Sequence, residues 1–244
     1  MSDTKLKLEK VNITLDSKIV LNNVNLEVID GDIVSLMGSS ASGKTSLIRS
    51  IAGFHNITSG SIYIDEKIVD DSKKREDVSK RNIGVIFQDL ALFPHLTVRE
   101  NICFGLNTIS KKQQFDRAEK LEQILNIVDI KHRYPDQISG GQQQRVAIAR
   151  AIAPGPKLLL LDEPFSALDY ELKEGLMNDI KKLRKSEKIT AILITHSAEE
   201  AFKMSDKIAF ISENTIMQYA DPYDLYHKPV SKEIANFFGI SSYI

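Results

Sequence analysis

The stretch GSSASGKT, residues 38–45, decides the fold of this 244-residue chain. It matches the pattern G-x-x-x-x-G-K-[ST], which cradles phosphate groups when it joins a strand to a helix. DIVSLM (32–37) precedes it and has the pattern of a strand, and SLIRSIAG (46–53) follows it with the pattern of a helix. The sequence therefore predicts a phosphate-binding loop within an α/β domain.

Each residue type in this loop has a chemical reason. Gly38 and Gly43 let the backbone turn tightly, so that amide N–H groups point at phosphate oxygens. The positive end of the following helix adds to this attraction. Lys44 reaches the β- and γ-phosphates, and the Thr45 hydroxyl is a ligand for Mg²⁺. We expect the other loop residues and the next one to contact the same nucleotide: Ser39, Ser40, Ala41, Ser42 and Ser46.

Composition and charge exclude several classes of protein. Hydrophobic residues are 42% and charged residues 27%, which excludes a disordered or collagen-like chain. The formal net charge of −1 provides no basic field, so we expect no nucleic-acid partner. The one cysteine, Cys103, cannot form an internal disulfide and fits a reducing compartment. No signal peptide or membrane span is expected, since the longest aliphatic runs have four residues.

Patterning along the chain predicts an α/β unit with an inserted helical segment. Strands are expected over 5–37, a hairpin over 61–70 and a strand at 82–87, and helices dominate from about 95 to 153. Strands and helices alternate after that, beginning with the unbroken apolar run Leu158–Leu161 of a buried parallel strand. We predict an α/β core with an antiparallel β subdomain (1–94 and 154–220), a helical subdomain (95–153) and C-terminal helices (221–244).

A second set of candidate residues follows the strand LLLLDE, residues 158–163. Ligands in open α/β sheets bind at the carboxyl ends of strands. Asp162 would hold Mg²⁺ directly or through water, and Glu163 could polarise an attacking water. Two acids that merely close a buried strand are the alternative. Together with the phosphate loop, the pair favours a metal–phosphate site.

The stretch ISGGQQQR (138–145) resembles the signature motif of ABC-type ATPases. The order of motifs is also similar to that family: GSSASGKT, Gln88 after a strand, SGGQ, LLLLDEP, SALD (166–169) and His196. The resemblance covers nearly the whole chain. It implies a P-loop NTPase core with a mostly parallel sheet, an antiparallel β subdomain and an inserted α-helical subdomain, with ATP and Mg²⁺ as cofactors.

The resemblance also implies roles for residues that mean little alone. Ser139, Gly140, Gly141 and Gln142 would bind the γ-phosphate of ATP held by another subunit, so that two chains enclose two ATP molecules. Gln88 would contact the Mg²⁺ and water region, His196 would hold the γ-phosphate and the attacking water, and Asp169 would couple the two sites. Purely structural roles stay open as alternatives: Ser139 and Asp169 would then be helix N-caps, and His196 would serve the fold alone.

Two stretches indicate the branch of the family. FQDLALFPHLTVRENI (87–102) and ADPYDLYHKPVSKEIANFFG (220–239) are similar to importers of polyamines, ferric iron, sulfate, molybdate, thiamine and some sugars. This implies a peripheral ATPase subunit at the cytoplasmic face of the cell membrane. Its partners would be a second copy or a related cassette, two transmembrane permease subunits and, indirectly, an extracytoplasmic substrate-binding protein. The patch 93–96 is either internal packing or the groove for a permease helix.

Two other functions remain as alternatives. A soluble ABC ATPase of DNA repair or translation usually has long coiled insertions or two fused cassettes, and neither is seen here. A regulatory module without turnover is disfavoured by Glu163 and His196. Some of these importers continue into a regulatory β domain, which we do not expect because the sequence stops at Ile244. The cargo cannot be read from this chain.

Several positions depart from the family pattern. Ala41 replaces a common glycine, and we expect little effect provided that its φ is negative. Ser197-Ala-Glu-Glu200 is expected to form a capping box where the family often has Asp after the histidine. Tyr170 follows Asp169 where Arg is frequent, and nothing in the sequence explains it. Leu15 stands where the family usually carries an aromatic that stacks on adenine.

Leu15 leads to a first prediction. Base–aromatic stacking contributes roughly 1–3 kcal/mol, and leucine keeps only apolar contact. We expect Leu15→Tyr to tighten ATP binding and to sharpen selectivity for purines, as measured by the Kd values of ATP and a pyrimidine triphosphate. An unchanged Kd for ATP would contradict the assignment of Leu15 to the adenine site.

Overall fold

The computed structural model describes residues 4–239, which fall into two compact units. The first unit combines the chain up to Ile83 with the chain from Thr190 onward, and the second runs from Gly84 to Ile189. Residues 240–244, the end of the predicted C-terminal segment, lie outside the described residues. Both units contain strands and helices, and the predicted α/β fold class is confirmed.

An antiparallel sheet with the strand order β2-β1-β4-β5 forms one part of the first unit. β1 (Thr4–Leu15) and β2 (Lys18–Ile29) pair along most of their length, and β4 (Ser59–Ile64) and β5 (Lys67–Asp70) form a hairpin. Leu6 and Leu8 of β1 are buried, and after a register shift so are Val11 and Ile13, because alternate side chains of a strand point to the same face. The hairpin predicted over 61–70 is therefore present.

The other part of the first unit is a sheet segment in the order β10-β9-β3-β8. β3 (Ile33–Met37) pairs in parallel with β8 (Thr190–Ile194) and β9 (Lys207–Ser212), whereas β10 (Thr215–Ala220) is antiparallel. Every residue of β3 and β8 is buried, as expected for parallel strands covered on both faces. The helices of this unit are α1 (Lys44–Ala52), α6 (Ala198–Met204), α7 (Pro222–His227) and α8 (Lys232–Phe237).

The second unit carries the neighbouring strands β6 (Ile83–Ile86) and β7 (Leu158–Asp162), with Ile83 at the division between units. Its helices are α2 (Val98–Cys103), α3 (Lys111–Ile124), α4 (Gly140–Ile152) and α5 (Tyr170–Glu187). From 95 to 153 the described backbone holds helices and no strand. Across residues 4–239, no helix combines the length and apolar character that crossing a membrane requires.

Helix caps were largely predictable. Ser110 and Gln113 form the expected capping box before α3, and Asp221 caps α7 with Pro222 at its first position. At α6 the Ser197 hydroxyl accepts from the Glu200 N–H at 3.3 Å, but the reciprocal half of the predicted box is wrong. The Glu200 carboxylate instead accepts from the buried Thr195 hydroxyl, whose oxygen also accepts from the Ser197 N–H at 3.0 Å.

A buried arginine attaches α1 to the antiparallel sheet. Arg81 forms an ion pair with Asp70, and both side chains are almost fully buried. Its guanidinium also donates to the carbonyls of Ser50 and Ile51 at 2.9 and 2.8 Å, which satisfies the carboxyl end of α1. Burial lowers the pKa of Arg81, and the Asp70 carboxylate opposes this shift. Sequence analysis did not identify this residue.

The loop between β3 and α1 has an unusual backbone. Gly38 and Gly43 have φ of 139° and 98°, as their predicted role in a tight turn requires. We expected little effect from Ala41 on the condition that its φ is negative. That condition is not met, because the φ of Ala41 is 65°. The Ser42 N–H donates to the Ser39 carbonyl at 3.3 Å, which makes Ala41 the third residue of a four-residue turn. Such turns often require a positive φ at that position.

This conformation leads to a prediction about stability. Alanine pays a steric penalty in the left-handed region that glycine avoids, and this outweighs the greater freedom of glycine in the unfolded chain. We expect Ala41→Gly to raise the free energy of unfolding by about 0.5–1 kcal/mol, measured by denaturant titration. Ala167→Gly, an exposed position outside the positive-φ set, serves as the control and should be neutral or destabilising. Destabilisation by Ala41→Gly would contradict the prediction.

Candidate functional site

The start of α1 in the first unit is built to receive an anion. Gly43 is its N-cap, no side chain of the described residues caps it, and its first turn contains no acidic residue. The backbone N–H groups at such an end attract negative charge. Ser39, Ser40 and Thr45 are exposed beside it, so a ligand has access to the loop.

Lys44 closes this loop from the inside. Its side chain is only 5% exposed, and Nζ donates to the carbonyls of Gly38 and Ser39 at 2.9 and 2.7 Å and to Ser42 Oγ at 3.2 Å. Gly38 tolerates no side chain, since a Cβ there would lie 2.0 Å from the Ile211 carbonyl oxygen. The ammonium group is thus fixed within the loop, next to the open end of α1. This arrangement fits the phosphate groups of a nucleotide.

A divalent cation would depend on the nucleotide for some of its ligands. Nowhere in residues 4–239 do three or more His, Cys, Asp or Glu side chains come together as a metal cluster. Mg²⁺ usually takes one or two protein ligands together with phosphate oxygens and water. The exposed Thr45 hydroxyl at the start of α1 fits that kind of site.

Leu15 lies near the phosphate loop within the same unit. It is half-buried at the end of β1 and pairs with Lys18 across a turn. The next residues of β2 contact the loop: a Cβ at Gly43 would lie 2.9 Å from Leu21 and 3.1 Å from Val20. The end of the β1–β2 hairpin therefore borders the loop, as the assignment of Leu15 to a base-binding position requires.

His196 lies at the same sheet edge as Gly38. The parallel register pairs Leu36 with Ile194, and Gly38 and His196 each follow two residues later. The carboxyl ends of parallel strands are where α/β sheets bind ligands. His196 is exposed there. The predicted sites Gly38 and His196 are thus brought to one edge of the first unit.

In the second unit, Asp162 is the last residue of β7 and Glu163 follows it. Asp162 is 7% exposed and Glu163 is half-buried. Glu163 has a φ of 51°, which places a non-glycine residue in the left-handed region. Its carbonyl accepts from the N–H and the hydroxyl of Ser166 at 3.3 and 3.1 Å. Backbone strain of this kind occurs at functional sites, and the sequence pattern did not reveal it.

The predicted signature residues form the start of α4. Ser139 Oγ accepts from the Gln142 N–H at 3.4 Å, and Gln142 Oε1 accepts from the Ser139 N–H at 3.0 Å. The two glycines differ: a Cβ at Gly141 would lie 3.2 Å from Leu172, whereas one at Gly140 would meet no described atom within 4 Å. Gly141 is buried, and Ser139 and Gly140 face solvent.

Asp169 and Gln88 complete the second unit's candidates. Asp169 caps α5, because its carboxylate accepts from the Leu172 N–H at 3.0 Å. The structural role considered for this residue, a helix N-cap, is therefore present. Gln88 is exposed in the turn that follows β6. Within the patch 93–96, Phe93 stacks on Phe104 with ring centroids 4.2 Å apart, while Pro94 and His95 stay exposed.

The candidates therefore divide between the two units. The first unit holds the phosphate loop, Leu15 and His196, and the second holds Gln88, residues 139–142, the pair 162–163 and Asp169. The sequence pattern did not point to Arg81, Asn101 or Arg150, which hold backbone carbonyls within the two units. Arg81 and Asn101 lie among polar neighbours, so nothing in the local sequence marks these contacts.

Comparisons with known proteins identify the family. The family model for ABC transporters matches residues 21–166, more than half of the chain. The spermidine/putrescine import ATP-binding protein PotA of Bacillus cereus is 39% identical over 236 residues, which cover 96% of this chain and 71% of that protein. The Fe(3+) ions import ATP-binding protein FbpC of Fusobacterium nucleatum is 40% identical, covering 96% of this chain and 62% of that protein.

Solved structures agree with this assignment. An ATP-binding cassette dimer in a post-hydrolysis state, bound to ADP and Pi, matches with a TM-score of 0.77 and 32% identity, covering 89% of this chain and 98% of that one. The cbiO1 protein of Clostridium perfringens, part of the cbiONQ transporter complex, matches with a TM-score of 0.85 and 26% identity, covering 98% of this chain and 96% of that one. The chain therefore belongs to the ABC transporter family, as one of its ATP-binding and ATP-hydrolysing subunits.

Proposed function

We propose that this chain is the ATP-hydrolysing subunit of an ABC importer, working as a dimer that encloses two ATP molecules. The relatives named above are import ATP-binding proteins and match nearly the whole chain. They import chemically different cargo, a polyamine and ferric iron, at almost equal identity to this chain. We therefore assign the choice of cargo to the membrane partners.

The outward-facing Gly140 is the observation that carries the dimer proposal. Glycine is a poor residue for a helix, and this chain by itself leaves open space where a Cβ would stand. A requirement for glycine at this position is explained by an approaching ligand from outside the chain. The exposed start of α4 has the same anion-attracting character as the start of α1. The γ-phosphate of an ATP held by a second copy fits that position.

Within each nucleotide site we propose a division of work. Residues 38–46 bind the phosphates, with Lys44 supplying fixed positive charge, and Leu15 contacts the base. Mg²⁺, when bound, would neutralise charge that develops on the transferred phosphoryl group. Thr45, Gln88 and Asp162 are its proposed protein ligands. The Glu163 carboxylate accepts a hydrogen bond from the attacking water. His196 keeps that water and the γ-phosphate in position.

The dimer then requires the signature residues and a coupling loop. Ser139, Gly140, Gly141 and Gln142 contact the γ-phosphate bound by the other copy, and Asp169 connects the two sites. Closure around ATP moves two permease subunits, and hydrolysis reverses it. We place the chain on the cytoplasmic face of the membrane as a peripheral subunit, with an extracytoplasmic substrate-binding protein acting through the permeases. The proposed domain boundaries are those given from the sequence, with residues 95–153 as the helical signature subdomain.

Trapping the closed state tests the nucleotide mechanism. We expect Glu163→Gln to form a stable dimer with ATP and Mg²⁺, because binding continues while the water is no longer polarised. Adding Gly140→Ala should abolish this dimer, although alanine should leave the unfolding temperature unchanged or slightly raised. Light scattering after gel filtration measures the mass, and Gly175→Ala, a glycine inside α5, is the control that should keep the dimer.

Two outcomes would count against this mechanism. If Glu163→Gln stays monomeric with ATP, a symmetric homodimer is wrong. If Gly140→Ala dimerises as well as Gly175→Ala, the start of α4 does not receive the nucleotide.

Isolation from native membranes tests the transport role. We expect the tagged chain, extracted in mild detergent, to copurify in fixed ratio with two membrane-spanning proteins that mass spectrometry identifies. Recovery in the aqueous fraction alone, without a membrane partner across several detergents, would favour the soluble ABC ATPase instead.

A further inference from the structure

The turn that follows Gln88 contains two consecutive strained residues. Leu90 and Ala91 have φ of 54° and 46°, and neither is a glycine. Side chains rarely adopt this left-handed conformation, and two in succession persist only where surrounding contacts hold them. The Leu90 N–H donates to the Phe87 carbonyl at 3.0 Å, and the Ala91 N–H donates to the Asp89 carbonyl at 2.5 Å. Both are local contacts, whereas the carbonyls of Leu90 and Ala91 are held from elsewhere in the second unit.

Arg150 on α4 provides that contact. Its Nη2 donates to the Leu90 carbonyl at 2.8 Å, and its Nη1 donates to the Ala91 carbonyl at 2.6 Å. The guanidinium carbon also lies 5.3 Å from the centroid of the Phe93 ring. A planar guanidinium presents two N–H groups in a fixed fork, which matches two adjacent acceptors in a way that an ammonium group cannot. Both strained residues are therefore held by a single side chain.

The far end of this segment is fixed to another helix. The Phe93 N–H donates to Asn101 Oδ1 at 2.9 Å, and Asn101 Nδ2 donates back to the Phe93 carbonyl at 3.1 Å. Asn101 is fully buried on α2. Residues 90–93, the strained segment, are thus attached to α2 by Asn101 and to α4 by Arg150. The segment moves with these helices as long as both attachments persist.

The helix that carries Arg150 is the one that starts at Ser139 and Gly140. Arg150 lies about three turns further along the same helix. We propose that Arg150 is a positioning residue that joins the turn containing Gln88 to the signature helix, so that the two shift as one body when ATP binds. This inference rests on the proposed roles of Gln88 and of the α4 start. Arg150 touches none of the proposed nucleotide ligands and acts through the backbone of Leu90 and Ala91.

The chain offers a matched control for this arginine. Arg117 also donates to two backbone carbonyls, those of Ile152 and Ala153 at the carboxyl end of α4, each at 3.1 Å. It pairs with Glu187, and within residues 4–239 none of its hydrogen bonds or ion pairs reaches the strained segment. Loss of either guanidinium removes two side-chain hydrogen bonds to backbone carbonyls, in the strained segment for Arg150 and at the end of α4 for Arg117. The Ile152 carbonyl keeps a second donor, the Gly155 N–H at 2.9 Å. A merely structural role would therefore make Arg150→Met and Arg117→Met behave alike.

The test measures turnover and local exchange in the full-length chain. We expect Arg150→Met to lower kcat for ATP by on the order of tenfold or more, because misplacement of a contributing group by a fraction of an ångström is costly. KM for ATP should change by less than about twofold, since the phosphate loop is untouched. Amide hydrogen exchange over residues 88–93 should accelerate. Arg117→Met should leave kcat and the exchange of 88–93 at wild-type values.

Conservative variants keep the test decisive where Arg150→Met does not fold. Arg150→Lys retains the charge but loses the two parallel N–H donors of the guanidinium. It should therefore lower kcat with little change in KM and accelerate amide hydrogen exchange over residues 88–93. Arg117→Lys should change none of these. Wild-type kcat and exchange in Arg150→Lys would overturn the proposal, as would equal effects of the two methionine variants. A wild-type chain that neither hydrolyses ATP nor dimerises with it would instead refute the proposed function.

Discussion

The close approach of Gly38 to the Ile211 carbonyl is the constraint on which the phosphate loop depends. A side chain at residue 38 would come within 2.0 Å of that oxygen, so the loop can leave β3 in this direction only with glycine. β9 supplies the oxygen and is held beside β3 by parallel pairing of Met37 with Phe210. The sheet thus fixes the direction of the chain, and Lys44 then closes the loop through its carbonyls. The open end of α1 follows from this geometry.

The same principle recurs in the second unit, where strained backbone follows two strands. Glu163 after β7 and Leu90 and Ala91 after β6 all have positive φ without being glycine. Each is held by hydrogen bonds to its carbonyl: Ser166 holds Glu163, and Arg150 holds the other two. Strain of this kind needs compensating contacts, and it occurs here at Glu163 and beside Gln88, two residues that we propose for the ATP site. Rigid placement of polar groups is what an ATPase requires for charge stabilisation.

Local patterns in the sequence predicted most elements and several caps. The unbroken apolar run Leu158–Leu161 became a fully buried strand, and the alternating runs became the antiparallel sheet, because the two environments select different patterns. Ser110, Ser139, Asp169 and Asp221 all cap helices by accepting from the N–H three residues later. The failures were at Ala41 and Glu200. The turn of the loop set the φ of Ala41, and Thr195 competed for the Glu200 carboxylate.

The sequence by itself determined the chemistry of the phosphate loop, the order of the motifs and the family, because these depend on residue types at fixed short spacings. Only the tertiary structure decided which glycine of the signature pair faces outward, and which arginines hold the strained turn and the carboxyl end of α1. Arg150 and Leu90 are 60 residues apart, and Arg81 and Ser50 are 31 apart. Their acceptors are backbone carbonyls, which every residue supplies, so such a hydrogen bond leaves no pattern in the sequence until the chain is folded.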